Sequence, residues 1–409
     1  MADEVEMVAT LQELIAIPSV GGSRAEVAIQ HWLAARLADL GLDVDLWPLD
    51  LADLRGRAGY PGEEVDRDAA WGLVATNRPG ERPSLVLQGH VDVVPTGDPA
   101  AWTGDPFTPA LAGSRVVGRG ACDMKGGVAA ILDAVATVQR TASNLPPFAV
   151  HFVVGEEDGG LGAFATLARG HGGAACVIPE PTDLRLVTAN AGSLTFRIEV
   201  PGLATHGSTR YEGSSAIDSY LAIHAALAGL ERRRNADPEP LMRDYPIPYP
   251  LSVGRIHGGD WPSSVPDQLV AEGRYGLRIE EDPALARAEL ETAVAEAAGR
   301  DPYLRDHPPR VDWPGGRFRG GQLAAGHPLC TLVGDAHRRV TGQDPGPARG
   351  GPYGSDLRLY VGAGVPTLHY GPGSPREAHG PNESVPIDQL RTTSDVLTLA
   401  LQLPGVPHS

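Results

Sequence analysis

Val5, Val8, Leu11, Leu14 and Ile15 recur with a helical period, so residues 3–17 form the first expected helix. Ile17-Pro18-Ser19 stops it, because the residue before a proline is pushed out of the helical region. Ser23 then reads as an N-cap, and Val27, Ile29, Trp32, Leu33 and Leu37 carry a second helix to Gly41. Residues 42–47 are expected as a strand. Residues 52–70, rich in Gly, Asp, Arg and Pro, are expected as a loop. Apolar runs at 72–76, 84–88 and 149–154 read as buried strands, with a helix at 127–137. Buried strands alternating with helices indicate an α/β sheet.

The pattern changes near Asn190. Residues 194–200, Leu-Thr-Phe-Arg-Ile-Glu-Val, alternate strictly and predict a strand with one buried face. A helix at 215–230, strands at 250–256 and 268–279, a helix at 284–298 and a strand at 309–313 complete the order βαββαβ, a small two-layer sandwich. A helix at 327–341 and a strand at 367–370 return to α/β character. The expectation is a discontinuous α/β domain, residues 1–190 and 317–409, interrupted by an α+β domain at 191–316. The triplet Arg232-Arg233-Arg234 reads as the solvated end of a helix. No internal repeat or low-complexity tail is visible.

Length supports the two-domain reading, since 409 residues exceed one ordinary core. Hydrophobic content of 42% fits a soluble globular protein. A formal charge of −17 argues against a nucleic-acid partner or an anionic membrane surface. Cys122, Cys176 and Cys330 form neither a CxxC pair nor an even disulfide framework, which points to a reducing compartment. Cys122 reads as a small buried hydrophobe rather than a nucleophile. The acidic N-terminus lacks the pattern of a signal peptide, and no apolar run approaches bilayer-spanning length. The expected location is cytoplasmic.

The candidate chemistry lies at strand ends and in glycine-rich turns, where ligand sites of α/β sheets gather. His90 closes Ser-Leu-Val-Leu-Gln-Gly-His, and Asp123 lies in Gly-Arg-Gly-Ala-Cys-Asp-Met-Lys-Gly-Gly. Glu156 and Glu157 follow His-Phe-Val-Val-Gly, Glu180 follows Cys-Val-Ile-Pro, and His379 lies in Glu-Ala-His-Gly-Pro-Asn-Glu-Ser. Each alone has an ordinary reading: a buried histidine, a turn aspartate, a solvated acidic loop. Together, two imidazoles and several carboxylates suit a pair of divalent transition metals, zinc foremost. Asp92, two residues beyond His90 and facing the same way, suits a carboxylate that takes the second ring N–H of His90. Adjacent Glu156 and Glu157 diverge, so one can ligate while the other reaches water. A metal pair beside an unused carboxylate is hydrolytic equipment. His206, in Thr-His-Gly-Ser, is not placed by spacing.

The segments Gly-His-Val-Asp-Val-Val-Pro, Gly-Arg-Gly-Ala-Cys-Asp-Met-Lys-Gly-Gly, Gly-Glu-Glu-Asp, Pro-Glu-Pro-Thr and Ala-His-Gly-Pro-Asn-Glu occur in this order. The chain thereby resembles the acetylornithine deacetylase/succinyl-diaminopimelate desuccinylase family of dinuclear zinc amidohydrolases and metallopeptidases, from about residue 8 to 400. Aminoacylases and glutamate carboxypeptidases are relatives. The resemblance implies a zinc-peptidase-like catalytic domain with a central, mostly parallel sheet and an inserted lid and dimerisation domain. It implies two metal ions per chain, zinc with cobalt or manganese as alternatives. Asp123 would bridge them, His90 and Glu180 would complete one site, and Glu157 and His379 the other. Glu156 becomes the general base for a metal-bridged hydroxide, and Asp92 the partner behind His90. His206 resembles a lid histidine that stabilises the oxyanion, often supplied across a homodimer. The Asp123–Met124 peptide is expected to be cis. Arg278 resembles an arginine that binds substrate carboxylate, and Ser355 lies in a Ser-Asp substrate loop. Ser263-Ser264-Val265-Pro266 departs from the Asn-x-Val-Pro that relatives carry. The implied reaction is cleavage of the amide bond of an N-acyl amino acid; the alternative is a metallo-dipeptidase or carboxypeptidase acting on dipeptides with the same centre.

Overall fold

The computed structural model describes residues 4–403; residues 1–3, where the first expected helix begins, and 404–409 lie outside the described region. The chain divides into two compact units, one running to Ala189 and including Gly321–Arg349 and the chain from Ser355, the other Asn190–Gly320 with Gly350–Gly354.

The first unit is built on a long sheet. Strands run in the order Asp43–Pro48, Trp71–Thr76, Phe148–Val153, Leu85–His90, Cys176–Ile178, Thr367–His369, Val187–Asn190 and Gly321–Gln322. The four in the middle, from Phe148–Val153 to Thr367–His369, are mutually parallel, and antiparallel pairs flank them. All residues of Leu85–His90 and Phe148–Val153 are buried, which explains why they read as continuous apolar runs rather than alternating ones. Helix Glu4–Ala16 buries Leu11, Leu14 and Ile15 of the expected stripe, but Val5 is exposed and Met7 is buried in the first turns instead. Helix Gly126–Thr141 is buried along nearly its whole length and packs against helix Ile387–Gln402. Its start approaches the chain so closely that a Cβ on Gly127 would lie 2.3 Å from the Pro179 carbonyl oxygen. Only glycine lets this helix begin beside the turn that carries Glu180.

Several elements escaped the pattern. A short helix, Leu51–Gly56, opens the expected loop, and Leu161–Ala168 and Ile387–Gln402 are further helices.

In the second unit, strand Gly192–Pro201, helix Ala216–Arg234, strands Leu251–Gly258 and Gln268–Leu277, helix Pro283–Ala298 and strand Arg310–Asp312 follow one another. The sheet order is Leu251–Gly258, Gln268–Leu277, Gly192–Pro201, Arg310–Asp312, all antiparallel. Leu194, Phe196, Ile198 and Val200 face helix residues Ile223, Leu227 and Leu290 in a separate core. The expected solvated triplet differs at one position: Arg234 is buried and paired with Glu281 and Glu289. Among the described residues no helix is long and apolar enough to cross a membrane.

Candidate metal centre

His90 is the last residue of its strand, Glu156 and Glu157 follow Phe148–Val153, and Glu180 follows Cys176–Ile178. These three strands are adjacent and parallel, so their carboxyl ends open on one edge. Asp123 comes from the turn before helix Gly126–Thr141, and the Asp123–Met124 peptide is cis. His379 comes from the turn before strand Ser384–Pro386, with a positive φ of 63°.

The Asp123 carboxylate lies between two half-sites. Its Oδ1 is 3.0 Å from His90 Nε2, which also lies 3.8 Å from Glu180 Oε1. Its Oδ2 is 3.4 Å from His379 Nε2, which lies 3.1 Å from Glu157 Oε2. One imidazole and one further carboxylate thus stand on each side. Among the described residues, His90, Asp123 and Glu157 bring a ligand atom each within 4.8 Å of one another. Glu156 is buried beside them but makes none of these contacts.

The electrostatics show what such crowding requires. Burial first, and neighbouring acids such as Asp356 and Glu180 next, push Glu156 well above the usual carboxylate range; burial does the same to Glu180 and, less strongly, to Glu157. Burial also works against Asp123, but hydrogen bonds from His379 and His90 outweigh it and hold its carboxyl low. The Glu157 carboxylate, helped by Asp123, lifts His379 to about 11. Burial opposes the charge on His90, yet Glu180 and Asp123 raise it well above its ordinary value. The four acids around the two imidazoles thus favour positive charge at this place, which is what divalent cations would supply. Glu157 Oε1 is buried and, among the described residues, has no hydrogen-bond partner. Paired N and O donors around a shared carboxylate, with a buried carboxylate oxygen left over, fit two divalent cations.

Asp92 differs from its expected place. The Nδ1 of His90 lies 3.0 Å from the main-chain oxygen of Asp92 but 3.6 Å from its carboxylate, too far for a hydrogen bond. The carboxylate instead accepts the N–H groups of Glu156 and Glu157 at 3.2 and 3.1 Å. It fixes the acidic turn, while its backbone fixes the His90 tautomer.

The remaining residues are dispersed. His206 is exposed in the second unit, with Nδ1 2.7 Å from the Ser208 hydroxyl. Arg278 donates to the carbonyls of Arg234 and Asp237 and lies over Tyr249, so its guanidinium caps the end of helix Ala216–Arg234. Ser355 is 2% exposed, its hydroxyl 3.1 Å from His369 Nε2 and accepting the Leu357 N–H, so it is buried and engaged within the first unit.

Sequence reasoning missed three supports. Arg67, within the expected loop, holds Asp158 through two bonds of 2.7 and 2.8 Å and also bonds Glu26, which accepts the Gly155 N–H. This buried trio braces the turn bearing Glu156 and Glu157. Glu383 accepts the N–H groups of Cys122 and Asp123. Arg274, on strand Gln268–Leu277, donates to Ser193 Oγ and the Pro352 carbonyl; burial pulls its pKa down, and among the described residues no carboxylate pairs with it. Glu383 and Asp158 had a sequence signal, since they close the segments Ala-His-Gly-Pro-Asn-Glu and Gly-Glu-Glu-Asp, and Arg274 stands four residues before Arg278; Arg67 and Glu26 had none.

Residues 86–403 match peptidase family M20/M25/M40. The N-formyl-4-amino-5-aminomethyl-2-methylpyrimidine deformylase of Bacillus subtilis is 29% identical, covering 90% of this chain and 87% of its own. The acetylornithine deacetylase of Edwardsiella ictaluri is 28% identical over 96% of both. Among solved structures, an M20 family metallo-carboxypeptidase of Sulfolobus solfataricus superposes with a TM-score of 0.77 at 16% identity, covering 97% of this chain and 99% of that one. The match spans most of the chain, including Asp123 and the five residues gathered around its carboxylate, and this protein belongs to peptidase family M20/M25/M40 as one of its hydrolases.

Proposed function

We propose that the protein is a metal-dependent deacylase that hydrolyses the amide bond of an N-acylated amine or amino acid. The observation that carries this is the Asp123 carboxylate, with one oxygen toward His90 and Glu180 and the other toward His379 and Glu157. These five residues would hold two divalent ions, zinc in our reading, with Asp123 shared. Ions held there would supply Lewis acidity to the scissile carbonyl and would lower the pKa of the attacking water.

Glu156 is the buried acid left outside the ligand set. Its carboxylate accepts the proton of the attacking water and delivers it to the leaving nitrogen. Asp92 holds the Glu156 and Glu157 N–H groups so that one side chain ligates and the other stays over the reacting atoms. The second unit acts as a lid, and His206 donates a hydrogen bond to the tetrahedral oxyanion. A homodimer formed through this unit would let one chain serve the other. Arg274 is our candidate for a substrate carboxylate ahead of Arg278: it donates to Ser193 Oγ and one carbonyl and has no carboxylate partner among the described residues, whereas the Arg278 guanidinium donates to two carbonyls at a helix end. Relatives named as a deformylase and a deacetylase, each aligned over most of its length, favour acyl-group removal over peptide cleavage.

The test is a hydrolysis screen of zinc- or cobalt-loaded protein against N-formyl, N-acetyl and N-succinyl amines and amino acids, alongside dipeptides. Turnover of one acylated class above dipeptides is expected, and Glu156→Gln should keep both metals while losing about 10²–10⁴-fold in kcat. Full activity in that variant overturns the mechanism; preferential dipeptide cleavage overturns the deacylase reading.

A further inference from the structure

Glu383 and Arg119 are each 1% exposed and form an ion pair of 2.6 Å. Neither belongs to the proposed ligand set, and a buried ion pair is a poor device for stability alone. Their other bonds give them a different use. Glu383 Oε1 accepts the N–H groups of Cys122 and Asp123, both at 2.9 Å. Its main-chain oxygen accepts the Gly118 N–H. Arg119 donates from Nη2 to the carbonyls of Pro95 and His379 and from Nη1 to that of Gly380, at 3.2 to 3.3 Å. The indole of Trp102 covers its guanidinium, 5.1 Å from the ring centre.

One carboxylate and one guanidinium thus tie together three separate turns: the one that leaves His90 and Asp92, the one that presents Asp123, and the one that presents His379. The last most needs holding. His379 and Asn382 both have positive φ, 63° and 55°, a conformation that side-chain-bearing residues rarely adopt. Such a backbone persists where its surroundings impose it, and here two carbonyls of that turn, at His379 and Gly380, are gripped by Arg119.

We infer that Arg119 and Glu383 are positioning residues that set the spacing between Asp123 and His379, and so control the affinity of the half-site formed by Asp123, Glu157 and His379. The inference rests on the dinuclear reading proposed above. The two residues act on different halves. Glu383 holds the Asp123 backbone, which serves both metals. Arg119 holds the His379 backbone, which serves one.

The pair Arg119→Met with Glu383→Gln separates these roles without leaving a buried charge alone. The amide oxygen that replaces the Glu383 carboxylate can still accept the Cys122 and Asp123 N–H groups, while the bonds to His379 and Gly380 are gone. Calorimetric titration of metal-free protein with Zn(II), repeated with Co(II) and its visible spectrum, should show two tight equivalents for the wild type. The double variant should keep one at wild-type affinity and bind the second about 10–100-fold more weakly. Its kcat should fall at limiting metal and recover in excess metal with KM unchanged, a rescue that a damaged fold would not give. Should the double variant fail to fold, Arg119→Lys retains the charge beside Glu383 but lacks the fork, and the same weakening of the second equivalent is expected. A folded variant that binds both metals as the wild type does overturns the inference alone. A wild type that binds fewer than two metals overturns the dinuclear reading on which it stands.

Discussion

At the scale of single residues, the centre depends on where each polar atom's second contact goes. Asp92 shows this best. The His-x-Asp spacing at a strand end suggested a carboxylate behind His90, and the two residues do lie together. The main-chain oxygen of Asp92, however, is the atom that meets the ring, and its carboxylate turns to the N–H groups of Glu156 and Glu157. Asp92→Ala should therefore leave the His90 contact in place and loosen the acidic turn. The expected result is a kcat lowered about 10–100-fold at saturating metal, with one metal still bound as tightly as in the wild type; metal titration beside steady-state kinetics checks it. Loss of the His90 half-site instead would mean that the carboxylate acts on the ring. The ligand-type residues were legible because they punctuate apolar runs. The braces were not: Arg67 and Glu26 are distant in sequence from Asp158 and carry no motif, so only folding reveals that they converge.

At the scale of elements, buried strands were readable where their apolar runs were long, and the βαββαβ order of the second unit was readable from its change to alternating periodicity. Helix Ile387–Gln402 was not, because its polar positions, Thr393, Ser394 and Thr398, are themselves buried and blur the stripe. Arg274 lies on strand Gln268–Leu277 and Arg278 directly after it, and resemblance marked only Arg278. Arg274→Met should raise KM for carboxylate-bearing substrates at least about tenfold, as expected for loss of a charge-assisted bond, while Arg278→Met should leave KM alone and lower thermal stability. The reverse pattern in a kinetic and melting comparison would restore Arg278 to the substrate site. The central sheet adds a pH response. His151 and His369 are completely buried, and burial lowers both to about 3. Unfolded histidine titrates near 6.5, so the unfolded chain takes up protons first. The stability these residues contribute is complete above about pH 6.5 and declines as pH falls toward 3, by about 1.4 kcal/mol per pH unit for each. His151→Phe leaves the Tyr360 hydroxyl without its ring partner and should be less stable at pH 7.5. Its deficit should shrink by about 2–3 kcal/mol at pH 4.5, read from urea unfolding at both values. A constant deficit would show that His151 titrates in the fold as it does in the unfolded chain.

At the scale of the whole molecule, the insertion explains why the ligands are so dispersed in sequence: His379 follows the second unit, yet it meets Asp123 and Glu157, which precede it. The same insertion raises the question of which chain supplies His206. Strand Leu251–Gly258 forms an edge of the second unit's sheet, with Ile256 50% exposed, and Leu221 on helix Ala216–Arg234 is 63% exposed. An uncovered edge beside exposed apolar side chains favours pairing between identical chains about a two-fold axis. If His206 acts across that pairing, two inactive chains can repair each other. A mixed dimer of Glu156→Gln and His206→Asn chains, isolated through two different affinity tags, contains one site with an intact Glu156 and an intact His206 from the neighbour. Its other site lacks both. Each homodimer should be nearly inert, and the mixed dimer should regain one working site per dimer. If His206 acts within its own chain, every site in the mixed dimer lacks one residue, and no activity returns. Recovery therefore assigns the oxyanion donor to the partner chain, and its absence in an intact mixed dimer, with both metals bound, assigns it to the chain that carries the metals.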